Sequence, residues 1–136
     1  MRSIAAIALL PPLLFAAAPA QAHAFLDRAE PRVGSSVSSP PRQLSLWFTQ
    51  NLEPAFSGAE VRDSAGARVD QGARVDPANR SLMRVSLKPL RPGSYKVHWR
   101  VLSVDTHTTE GTFSFQVGGP VSRRSARRIE RPWRSS

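Results

Sequence analysis

No cysteine occurs in the 136 residues, which excludes a disulfide framework, a thiolate metal site and a lipid-attachment cysteine. Methionine is almost as scarce: beyond Met1 the chain has only Met83. Soft sulfur ligands are therefore scarce, which argues against a soft-metal site built from them. No apolar run is long enough to span a membrane; the longest, over residues 4–18, is short and interrupted by Pro11-Pro12. Sustained helical periodicity is absent too, which points away from bundles. Histidine is rare, with only His23, His98 and His107.

What is present begins with an export signal. Arg2, the apolar run and then Ala20-Gln21-Ala22 have the layout of a secretory signal peptide, predicting cleavage after Ala22 and a periplasmic protein. The organisation expected is a signal peptide over 1–22, one domain over 23–117 and an Arg-rich disordered tail over 118–136. The net charge of +9 is unevenly spread. The domain carries 12 basic and 9 acidic side chains, whereas the tail has six arginines against Glu130. Such a tail attracts acidic lipid or an acidic partner, and export argues against nucleic acid.

Period-two alternation predicts strands. Leu44, Leu46 and Phe48 alternate with polar positions, leaving Trp47 on the opposite face. Tyr95, Val97, Trp99 and Val101 share a core face, with Lys96, His98 and Arg100 turned to solvent, and Phe113, Phe115 and Val117 point inward. Further strands are expected over 24–30, 59–62, 67–70 and 82–87. Asp63-Ser64-Ala65-Gly66 reads as a hairpin loop, and Arg91-Pro92-Gly93-Ser94 as a type II turn. About seven short strands at this spacing predict an all-β sandwich.

Asp105-Thr106-His107 carries the chemistry. On an extended strand residues i and i+2 share a face, so a carboxylate and an imidazole there can reach one ion. An isolated Asp-x-His is equally well a hydrogen-bonded pair. Cleavage after Ala22 adds a second observation, because it makes His23 the first residue and gives it a free amine beside its imidazole. Together His23, Asp105 and His107 offer three nitrogens and one oxygen to a metal. Asn79-Arg80-Ser81 fits a glycosylation triplet, but a turn explains it as well and it is assigned no role.

These residues also carry a resemblance. His23-Ala24, Glu30-Pro31-Arg32-Val33-Gly34-Ser35, Phe56-Ser57-Gly58, the run Gly93-Ser94-Tyr95-Lys96-Val97-His98-Trp99-Arg100, Ser103-Val104-Asp105-Thr106-His107 and Gly111-Thr112-Phe113-Ser114-Phe115 resemble, in order and spacing, the CopC family of periplasmic copper-resistance proteins. The resemblance implies an immunoglobulin-like Greek-key β-sandwich that binds Cu(II) through the amine and imidazole of His23, Asp105 and His107. It also implies work beside a CopD-type inner-membrane protein, without catalysis. Asp105 is either a direct oxygen ligand or an orienting partner of one. The chain departs from the family in lacking a methionine-rich Cu(I) site, and in having Gln50 where members often carry glutamate. Two other readings stay open on the residues alone: a copper oxidase with an N-terminal histidine acting on a polymer, and a structural envelope module with an incidental metal site.

Overall fold

The computed structural model describes residues 23–118. The strands are β1 (Leu26–Glu30), β2 (Ser36–Val37), β3 (Gln43–Phe48), β4 (Gly58–Asp63), β5 (Asp70–Asp76), β6 (Asn79–Leu87), β7 (Gly93–Leu102) and β8 (Thr108–Val117), with one 3-10 turn at Pro54–Phe56. They form two four-stranded sheets, β1-β3-β6-β5 and β2-β8-β7-β4. Only β5–β6 and β7–β8 are joined as hairpins within a sheet. Every other connection crosses to the opposite layer, so the chain is an all-β Greek-key sandwich of the expected class, with eight strands rather than seven.

Alternation explains which residues face inward. Leu44, Leu46 and Phe48 on β3 and Val97, Val101 and Phe115 on β7 and β8 are buried between the layers. Trp47 faces outward as expected, with the Arg28 guanidinium 4.0 Å above its ring. Tyr95 and Trp99 are core residues. The Tyr95 hydroxyl donates to the Arg91 carbonyl at 2.5 Å, a tyrosine corner that fixes the entry into β7. On the inner face of β8, Gly111 lies opposite Trp99, whose indole covers the space a β-carbon would take.

Three local expectations are corrected and one is limited. The stretch around Ser36, read as a turn, supplies β2, whose two residues pair in parallel with β8. Residues 59–62 and 67–70 do meet across the Asp63–Gly66 turn as expected, but only through a short antiparallel bridge between Arg62 and Arg68. Val69 N–H donates to the Val61 carbonyl at 2.8 Å and Asp63 N–H to that of Ala67 at 2.9 Å, after which the chain crosses to the other sheet as β5. Arg91-Pro92-Gly93-Ser94 is not a type II turn, because Gly93 has φ 154°, far from the +80° such a turn needs, and already opens β7. Asp105 and His107 sit on the loop between β7 and β8 and not on a strand.

Asp70 holds the crossing from β4 to β5. It is buried, and its carboxylate accepts the Val61 N–H at 2.8 Å and the Arg68 guanidinium at 3.0 Å. Burial pushes this carboxyl upward, but the Arg68 hydrogen bond, the Val61 N–H and the Arg68 charge outweigh it, leaving it below the usual carboxylate range.

Candidate metal centre

Strand direction determines what meets at each end of the sandwich. β7 delivers Leu102 and β8 departs from Thr108 at one end, the same end at which β3 finishes and β1 begins. The N-terminal residues and the β7–β8 loop are therefore neighbours although more than 80 positions separate them in sequence.

The N-terminal segment is held by backbone and threonine contacts. Ala24 is fully buried and its carbonyl accepts the Thr109 hydroxyl. Phe25 N–H donates to the Thr49 hydroxyl oxygen at 3.0 Å, Thr49 N–H returns a bond to the Phe25 carbonyl at 2.9 Å, and the Thr49 hydroxyl reaches the His23 carbonyl at 3.3 Å. His23 is thereby fixed at the edge of this end. Its ring stacks on His107, with centroids 4.6 Å apart and planes 26° from parallel.

The loop is a tight one. Ser103 N–H donates to the His107 carbonyl at 3.0 Å and Thr106 N–H to the Ser103 carbonyl at 2.9 Å, closing residues 104–106 between them. Thr106 has φ 75°, an unfavourable conformation for a β-branched residue. This left-handed residue turns the chain so that Asp105 and His107, which a strand would have aligned, converge from a loop: His107 Nδ1 lies 3.6 Å from Asp105 Oδ1.

Beneath them is Ser103, a residue to which sequence reasoning gave no role. It is fully buried, and its hydroxyl donates to the Asp105 carboxylate and lies 3.2 Å from the His107 carbonyl. The Ser103 hydrogen bond is the main cause holding the Asp105 carboxyl below its usual range, with the His107 charge adding to it. The spacing Ser-x-Asp-x-His was the available signal.

His23, Asp105 and His107 are thus brought together, but as a stacked pair of rings beside a carboxylate. Among the described residues no three His, Cys, Asp or Glu side chains are gathered at metal-holding spacing. His98 is elsewhere, half-exposed on the outer face of β7, with Nε2 3.5 Å from Glu110 Oε2. Gln50 is exposed beside Thr49 at the candidate end. Met83 is fully buried in the core. The large exposed apolar side chains Phe25, Phe56 and Val104 surround this end.

Two imidazoles beside one carboxylate make a nitrogen-rich donor set that suits a transition metal over harder cations. Within the full chain the His23 nitrogen is a peptide amide, which does not ligate as an amine does.

Comparison with known proteins bears on the domain as a whole. The family model for the CopC domain matches residues 26–118. The "Copper resistance protein C" of Xanthomonas campestris pv. juglandis is 36% identical over 123 residues, covering 85% of this chain and 96% of its own length. Among solved structures, CopC from Methylosinus trichosporium OB3b superposes with a TM-score of 0.67 at 35% identity, covering 71% of this chain and 94% of its own. PcoC, described as a methionine-rich copper resistance protein from Escherichia coli, superposes with a TM-score of 0.61 at 34% identity, covering 71% and 99%.

Proposed function

The chain belongs to the CopC family, which makes it a copper-handling protein rather than an enzyme, and from that premise we propose that it captures Cu(II) in the periplasm and passes it to a CopD-type inner-membrane protein. The ligands in this reading are the amine and imidazole of His23, released by cleavage after Ala22, with the imidazole of His107 and the carboxylate of Asp105. The observation that carries it is the meeting of His23 with the Asp105–His107 loop at one end of the sandwich. In this reading the half-buried ring of His23 and the exposed ring of His107 rotate out of their stack to converge on one ion, while the Thr49, Thr109 and Ser103 hydrogen bonds keep the backbones in place.

A Cu(II)-only site follows from the donors. Met83 is sealed in the core, so among the described residues no thioether reaches the surface to hold Cu(I). Handover is supported by the shape of this end, where Phe25 and Val104 stand 53% and 46% exposed beside the ligands and offer an apolar rim to an acceptor. No observation favours a structural envelope module.

The test compares Cu(II) affinity of protein beginning at His23 with protein retaining Ala22. The extra residue keeps every side chain but converts the amine to an amide. The loss should exceed the roughly 10- to 100-fold typical of changes outside the ligand set. Affinity of the His23-initiated form should also fall as pH drops through the histidine and amine range, about 8 to 6, because protons compete for the nitrogens. Equal affinities for the two forms would remove the terminal chelate from the proposal.

A further inference from the structure

The opposite end of the sandwich has a different character. β1 and β6 finish there, β3 and β7 begin there, and β8 ends there at Val117. Four exposed cations occupy separate segments of this end: Arg32 after β1, Arg42 before β3, Lys88 after β6 and Arg91 before β7. None of the four is in an ion pair among the described residues, whereas Arg80 and Arg84 nearer the copper end are paired with Glu53 and Asp76. The carboxylates at this end are largely occupied. Asp70 is held by Arg68, and Asp63 accepts the N–H groups of Ala65 and Ala67, leaving Glu30 as the exposed exception. Val33, next to Arg32, is 56% exposed at the loop tip.

The chain also leaves the domain here. Gly118 N–H is bonded to the Val37 carbonyl at 2.8 Å, so the six arginines that follow in sequence start from this end. We propose that this pole, with Arg32, Arg42, Lys88, Arg91 and the apolar tip of Val33, is a docking face for an anionic lipid surface. The cations are dispersed on four segments and share no single groove, since Arg42 lines one cavity with Leu87 and Leu90 and Arg32 lines another with Glu30; that dispersion suits a field of headgroup phosphates better than a protein partner requiring matched carboxylates. The ten residues of β8, at about 3.3 Å each, then hold the Asp105–His107 loop about 30 Å from the bilayer. A lipid-held molecule therefore presents its copper end to solvent, and transfer to a membrane protein requires release or reorientation. The inference concerns lipid alone and does not depend on the cargo.

The test uses the chain from His23 to Ser136 and vesicles of phosphatidylcholine with and without phosphatidylglycerol. Binding should require phosphatidylglycerol and weaken with salt. Replacing the four cations together (R32Q, R42Q, K88Q and R91Q), with the tail intact, should weaken it by about fivefold for each cation within reach of the surface. Because the chain has no cysteine, Val33→Cys and Val104→Cys can each carry a single polarity-sensitive label. The label at 33 should shift on the vesicles and the label at 104 should not. Unchanged binding by the fourfold variant would assign it to the tail alone and overturn the proposal. So would indifference to phosphatidylglycerol, a shift at 104 in place of 33, or displacement from vesicles by polyglutamate binding the same four cations more tightly.

Discussion

Replacing Gly111 by alanine probes the contact on which the inner face of β8 depends. A β-carbon there would stand 2.4 Å from Cζ2, 2.7 Å from Cε2 and 3.0 Å from Nε1 of Trp99. Carbon atoms settle at about 3.5–4.0 Å, so the indole must retreat by about 1 Å. It has little room, being buried with its ring edge-on to Phe48 at a centroid distance of 5.2 Å. Overpacking of this kind costs about 1–3 kcal/mol, and disturbing the aromatic pair adds about 0.5–1.5 kcal/mol. Alanine recovers about 0.4–1 kcal/mol by restricting the unfolded chain. The net expectation is a loss of about 2 kcal/mol, or a melting temperature lower by about 10 °C. Urea unfolding followed by far-UV circular dichroism measures it. The same substitution in a Trp99→Leu background should be nearly neutral, since the ring it strikes is gone. A loss below about 0.5 kcal/mol, or an equal loss in both backgrounds, would refute the steric argument.

Asp70 predicts a pH dependence. Its folded value is depressed, so its stabilisation is complete above the unfolded value of about 3.9 and is lost as pH falls through the lower folded value. Asp70→Asn should cost about 1–3 kcal/mol at pH 7, and the gap in urea midpoint should narrow at pH 3; a constant gap contradicts the assignment. Ser103→Ala removes the donor that fixes Asp105, so Cu(II) affinity should drop about 10- to 100-fold with a shift in the copper visible spectrum. Unaltered affinity and spectrum would show that Ser103 serves the loop alone.

Legibility in the sequence followed burial on one face. β3, β7 and β8 each bury alternate side chains, so Leu44, Val97 and Phe115 announce their orientation without tertiary knowledge. β2 could not be read, since two residues carry no period and owe their pairing to β8. The turn at 63–66 was legible, whereas the crossing to the other sheet that follows it was not. The loop chemistry is local, but whether the returning segment joins the same sheet depends on Asp70 reaching Val61, a contact no pattern encodes. At the candidate site, residue types were visible while geometry was not. Asp105 and His107 converge through the left-handed Thr106, an unusual conformation that threonine does not advertise. The approach of His23 came from the signal cleavage and the family resemblance, because nothing local in 23–30 points to residue 107.

The Asp70 carboxylate has a consequence for behaviour at high concentration. β4 ends its sheet, and an open border of that kind offers unpaired N–H and C=O groups on which a strand of another molecule can add. Here the Val61 N–H is taken by Asp70, and the Val61 carbonyl and Asp63 N–H by the returning chain. A chain without disulfides thus guards one of its borders against polymerisation with its own returning backbone and one ionised side chain. Acid that neutralises it weakens that guard as it loosens the fold, so the first species to appear on acidification should be one that self-associates through β4.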